Sequence, residues 1–217
     1  MKRSIVATDK GPTKRIKRPG PTEADANALA DIRVEDLPPA LNPVLEAAVQ
    51  EFDEDLLVST KRPFPSLRKQ GTASMGGGGE YKFSGAVCKV QPCGPNTATL
   101  IRFFAHMCGA EDNKVWVHLN WYPADTQSGV QPHRDDAMFD PNYPISGMQL
   151  YGNADLVIWN GTPADAKTRN GAKREVRPGT MYTMPPNFQS RATHAIERRK
   201  TQHMQVKRCS LTFRVIL

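Results

Sequence analysis

An apolar run of about 18 residues, the length a helix needs to cross a bilayer, is missing from this 217-residue chain, which excludes a helical membrane span. An apolar stretch is also missing from the basic N-terminus, so no secretory signal is expected. Cysteine is scarce, with four residues, and four thiols in an intracellular-looking chain argue against a disulfide framework. Aromatic residues are nearly absent from residues 1–30, which read as a disordered basic tail. What remains suits one folded unit that is expected to be monomeric.

Charge is abundant but unevenly placed. Residues 1–20 carry a net +6, residues 21–166 a net −9 and residues 167–217 a net +10. Two separated basic regions suit a polyanionic partner such as a nucleic acid. The cluster Lys14-Arg15-Ile16-Lys17-Arg18 reads as a nuclear-import address or as a nonspecific phosphate contact, in an intracellular protein.

Apolar spacing predicts helices over residues 42–57 and 96–108. Between them, residues 62–79 are rich in Pro, Gly and Arg and read as a mobile loop. After Lys114 the pattern changes to short β-like runs at 115–122, 145–150, 154–159, 180–184, 192–196 and 207–217, with no helix expected. Many short strands separated by turns indicate a sandwich or barrel.

Within Pro132-His133-Arg134-Asp135-Asp136, positions i and i+2 of an extended strand share a face, so His133 and Asp135 point together. One imidazole and one carboxylate are two thirds of a facial metal triad. The third ligand should be a distant histidine, from among His106, His118, His194 and His203. His106 falls in a helix and His203 in a polar loop, whereas His194 lies in the strand-like Ala192-Thr193-His194-Ala195-Ile196. Such a set leaves three positions on Fe(II) for a chelating cosubstrate and O2, room that a closed zinc site lacks.

The last strand alternates cleanly. Cys209, Leu211, Phe213 and Val215 form one face, and Arg208, Ser210, Thr212 and Arg214 form the other. Two inward arginines need anions. Their Cα atoms lie about 20 Å apart at about 3.3 Å per residue, so both serve one small dicarboxylate only by reaching toward each other, or if one supports the metal end. In the strand at 115–122, Asn120 and Tyr122 share a face and offer hydrogen bonds to a carboxylate.

The ordered set Asn120-x-Tyr122, His133-x-Asp135, Pro144-Ile145-Ser146, His194 and Arg208-x5-Arg214 within Ser-Leu-Thr-Phe-Arg resembles the AlkB family of Fe(II)/2-oxoglutarate dioxygenases. Upstream, Arg68-Lys69-Gln70 and Tyr81-Lys82-Phe83-Ser84-Gly85 resemble the substrate lid of the branch that dealkylates DNA and RNA. The resemblance spans roughly residues 60–217. It implies a mainly β domain over 31–217: N-terminal helices and a lid in 31–112, and a double-stranded β-helix, or jelly roll, in 113–217. It implies that His133, Asp135 and His194 hold Fe(II). Arg208 would pair with the distal carboxylate of 2-oxoglutarate, and Asn120, Tyr122 and Arg214 would help to position it. The implied reaction is oxidative demethylation of an N-alkylated base, releasing succinate, CO2 and formaldehyde.

A flipped base needs a ring to stack on, which Tyr81 and Phe83 could supply. The resemblance sets Phe83 across the base from His133 and gives Asp136 a part in reading the base. Ala137 departs from the family pattern, in which an acid is usual there. Basic residues in 167–177 and 198–200 are expected to contact phosphates. Two other readings fit the same residues: an oxygenase of a protein or lipid substrate, and a noncatalytic nucleic-acid-binding protein.

Overall fold

The computed structural model describes residues 18–59, 68–83, 86–123, 129–135, 138–198 and 207–217. In chain order the elements are α1 (Glu23–Ala30), β1 (Arg33–Asp36), α2 (Leu41–Gln50), β2 (Val58–Ser59), β3 (Lys69–Ser74), β4 (Glu80–Phe83), β5 (Ala86–Pro92) and α3 (Pro95–Cys108). They continue as β6 (Val115–Tyr122), β7 (Val130–His133), β8 (Ile145–Tyr151), β9 (Ala154–Asn160), α4 (Asp165–Thr168), β10 (Ala172–Val176), β11 (Thr180–Met184), α5 (Phe188–Arg191), β12 (Ala192–Arg198) and β13 (Arg208–Val215). A major sheet runs β1-β11-β8-β13-β6-β3-β5-β4, with β2 beside β3, and a minor sheet runs β10-β9-β12-β7. This mostly β, two-sheet arrangement with a few helices is consistent with a jelly roll.

The two faces of the major sheet are chemically different. On one, Leu45, Val49, Leu100, Ile101 and Phe104 of α2 and α3 pack on Val115, Val117 and Leu119 of β6 and on Cys209, Leu211, Phe213 and Val215 of β13. The other face carries Gln70, Thr72, His118, Asn120, Arg208, Thr212 and Arg214, all buried. Buried polar side chains on one face of a sheet are costly unless paired, so this face marks a site and not a core. The minor sheet joins the major one through Leu156, Ile158 and Ile196, which pack with Ile145, Tyr182 and Met184.

α3 begins at Gly94, which has no side chain to cap it. The Glu51 carboxylate does so from α2's end, accepting the N–H groups of Asn96 and Thr97 at 2.8 Å each. Gly109, at φ 72°, closes the helix.

Four expectations give way. A helix, α1, occupies the end of the segment read as tail; a Thr22–Asp25 capping box starts it, and buried Asp25 ties it to Arg169 at 2.9 Å. α2 ends at Gln50, and residues 54–56 form a separate 3-10 turn that Asp53 caps. Within the expected loop at 62–79, residues 69–74 form a buried strand between β5 and β6, since a strand paired on both sides needs no apolar signature. The strand region also holds two single-turn helices, α4 and α5.

The charge asymmetry has an internal use. Asp25, Asp31 and Asp36 near the N-terminus pair with Arg169, Arg191 and Arg177, and Glu197 pairs with Lys173. Of the residues expected to face phosphates, Arg169 and Arg177 therefore pair with acids of the first elements, and Lys173 pairs within the minor sheet. Residues 1–17, including most of the basic cluster, and residues 199–206 lie outside the described residues. All four cysteines are free thiols, and no helix among the described residues is long and apolar enough to cross a membrane.

Candidate metal centre

β7 and β12 are antiparallel, and their register sets His133 directly opposite His194. Opposed residues project to the same side of a ladder, and the two rings lie 4.2 Å apart. Asp135, two residues beyond His133, turns its carboxylate between them. His133 Nε2 lies 3.8 Å from Asp135 Oδ1, and His194 Nε2 lies 3.9 Å from Oδ2. Among the described residues these three form the one cluster with metal-ligand geometry, their ligand atoms all within 4.8 Å of one another.

Protonation suits a cation. His133 Nδ1 donates to the Gln131 carbonyl at 2.8 Å, which leaves the lone pair on Nε2, facing the site. Burial lowers the pKa of both imidazoles, and the neighbouring His133 helps to push His194 down to about 3. Burial alone would raise Asp135, but Arg214, His194 and His133 hold it well below the usual carboxylate range. Two neutral imidazoles and one carboxylate are the state a divalent ion needs. The fit also shows in an unpaired atom: buried Asp135 Oδ2 has no hydrogen-bond partner, although Oδ1 accepts from Arg214. The donor set N, N, O is that of a nonhaem Fe(II) centre.

The two arginines of β13 divide the polar face. Arg214 Nη2 donates to Asp135 Oδ1 at 2.6 Å, at the metal end. Arg208 lies at the other end, its guanidinium 4.3 Å from the Tyr122 ring centre. Between them Gln70 donates to Asn120 Oδ1 at 3.0 Å, and Asn120 Nδ2 donates to Thr212 at 3.4 Å. A buried cation at one end and hydrogen-bonding groups leading to the metal end suit a short diacid such as 2-oxoglutarate.

A solved structure described as "The structure of OsALKBH1" superposes on this chain with a TM-score of 0.55, covering 92% of this chain and 100% of that one at 12% identity. The fold is AlkB-like. At that identity the likeness concerns the fold alone. No family model matches the sequence, and no curated protein matches it.

On this AlkB-like frame, Tyr81 and Phe83 of β4 stack at 5.2 Å, with the Tyr81 ring 4.6 Å from His118. Asp136 and Ala137 lie outside the described residues, as does His203. His106 is exposed on α3. Arg68 and Gln70 are bonded to each other at 2.8 Å and buried on the polar face.

Three further residues line this region, of which only His118 was a candidate in the sequence. His118 hydrogen-bonds Thr72 at 3.0 Å through Nδ1, and its buried Nε2 has no partner. Its signal was the inward parity it shares with Asn120. Tyr182 lies across Gly147, where an added Cβ would meet the ring at 2.2 Å. Gln189 Oε1 accepts the Asp135 N–H at 3.1 Å. Neither Tyr182 nor Gln189 had a sequence signal, since both reach the site through a different part of the chain.

Proposed function

We propose that this chain is an AlkB-type Fe(II)/2-oxoglutarate dioxygenase that dealkylates N-alkylated bases in DNA or RNA. The observation that carries the proposal is the convergence of His133, Asp135 and His194 beside a buried sheet face with an arginine at each end.

Fe(II), O2 and 2-oxoglutarate, when bound, supply the oxidation that turns an N-methyl group into N-hydroxymethyl, which breaks down to formaldehyde and the restored base, with succinate and CO2 as coproducts. The chain's residues bind and orient. His133, His194 and Asp135 Oδ2 hold the ion. Arg208, stacked on Tyr122, takes the far carboxylate of the diacid. Asn120, fixed from both sides by Gln70 and Thr212, donates along its length. Arg214 keeps Asp135 ionised and aimed. Tyr81 and Phe83 offer ring faces to a base flipped out of its stack, and Asp136 offers an acceptor to its edge. We also propose a monomeric intracellular protein, with residues 14–18 as a nuclear-import address.

The test incubates iron-loaded protein with 2-oxoglutarate and oligonucleotides carrying different N-methylated bases, then measures formaldehyde and succinate. Turnover that His133→Ala abolishes is the expected result, and no iron-dependent turnover on any methylated base overturns the proposal. The pairing of Lys173 and Arg177 with acids of this chain favours one second reading, an oxygenase of a protein or lipid substrate. Succinate release without nucleic-acid binding at low salt would select it.

A further inference from the structure

β7 ends at His133. Its ladder with β12 fixes His133 against His194, but no ladder pair includes residue 135. The carboxylate that completes the triad therefore lies past the point where backbone pairing holds the chain. Side-chain bonds take over. Gln189 accepts the Asp135 N–H, Arg214 donates to its carboxylate, and Arg134, facing away from the triad, donates through Nη2 to the carbonyl of Gly161 at 3.0 Å.

That carbonyl has a second donor. The hydroxyl of Thr193, a wholly buried residue, donates to it at 2.9 Å. Arg134 stands between His133 and Asp135, and Thr193 stands next to His194. One oxygen thus receives both ligand-bearing segments, and its two lone pairs are used. The oxygen is itself held in place. Gly161 N–H donates to the Arg191 carbonyl at 2.9 Å, and the preceding Asn160 N–H donates to Asp25 at 2.7 Å. Gly161 has φ +142°, and an added Cβ would lie 2.5 Å from Asp165 Oδ2, so the position requires glycine.

We infer that Arg134 is a positioning residue, which through the Gly161 carbonyl shared with Thr193 holds Asp135 at ligand distance from the two histidines. The inference rests on reading the triad as a metal centre. Electrostatics makes it testable by sign. Removing a positive charge beside a cation site should tighten cation binding, whereas losing a brace should weaken it.

The experiment titrates the metal-free full-length protein with Co(II) by calorimetry and visible absorption, and follows urea unfolding of the same metal-free samples. Arg134→Ala is expected to weaken Co(II) binding by about 10–100-fold, the usual effect of losing a ligand's outer support. Its Co(II) spectrum should change while the urea midpoint stays near the parent's. Arg134→Lys, which keeps a donor, should recover much of the affinity. Thr193→Val, close in shape, should weaken binding by a smaller factor and serves if Arg134→Ala does not fold. Parental or tighter affinity with an unchanged spectrum, in whichever of these two deletions folds, overturns the inference. A parent protein that binds no Co(II) overturns the metal-centre reading, and this inference with it.

Discussion

Arg214 and Asp135 meet at 2.6 Å, guanidinium to carboxylate, although one belongs to the last strand of the major sheet and the other to the chain just beyond β7. Both side chains are nearly inaccessible, at 10% and 4% exposure. This pair joins the arginine face to the metal ligands. It also leaves Oδ1 occupied and Oδ2, which lies 3.9 Å from His194 Nε2, without a hydrogen bond, so Oδ2 is the oxygen left to offer an ion.

Breaking that pair should be costly in the metal-free protein. Removing one partner of a buried ion pair costs roughly 3–5 kcal/mol, because the other charge stays buried and uncompensated. Arg214→Leu is expected to lower unfolding free energy by about that much in urea titrations. Arg214→Lys should lose less. A loss below about 1 kcal/mol for Arg214→Leu, the range of an exposed pair, would show that Asp135 does not depend on it.

Arg208 should act on the diacid and not on the ion. Arg208→Met keeps the apolar stem over Tyr122 and deletes the charge. A charge-assisted bond of about 1.5–3 kcal/mol corresponds to a loss of roughly 10–100-fold in 2-oxoglutarate affinity. Calorimetry with Mn(II) present would measure it, and Mn(II) affinity itself should stay within a few-fold of the parent's. Unchanged 2-oxoglutarate binding would remove Arg208 from the site.

Gly147 is required by its neighbour. Strand pairing sets it opposite both Tyr182 and Thr212, and the Tyr182 ring occupies the volume a side chain would take. Gly147→Ala should destabilise by about 1–3 kcal/mol through overpacking. Adding Tyr182→Leu to Gly147→Ala should cost less than the two single changes together, as contacting residues are nonadditive. Additive losses in a double-mutant cycle would disprove the steric link.

Glu51 gives a pH signature. Burial raises its pKa, but hydrogen bonds from Thr97 and Asn96 outweigh this and hold it below the ordinary value of 4.5. A folded-state value below the unfolded one contributes stability that is full above the unfolded value and is lost as pH falls through the folded one. The stability difference between parent and Glu51→Gln should therefore be greatest near neutral pH, at roughly 0.5–2 kcal/mol for a helix cap, and should shrink below about pH 4.5. Urea midpoints at three pH values would follow it, and a difference independent of pH would show that the charge has no part in the cap.

How much of this was readable in advance follows from where each constraint acts. Alternation in β6 and β13 is local, because side-chain parity is fixed by the backbone, so the split between Leu211 or Phe213 and Arg208 or Arg214 could be read residue by residue. The pairing of His133 with Asp135 in direction was readable for the same reason. β3 was not, since Gly71, Thr72 and Ala73 are buried by neighbours on both sides and show no apolar pattern of their own. α1 was hidden because a short helix is held by Asp25 reaching Arg169, far along the chain.

The amino-acid order alone determined that two imidazoles, a carboxylate and two arginines were available on strands of suitable parity. Tertiary structure decided that His194 stands directly opposite His133, that Arg214 and not Arg208 reaches Asp135, and that the Gly161 carbonyl accepts from both Arg134 and Thr193. Those outcomes depend on strand register and sheet packing, which bring together groups that no local spacing relates.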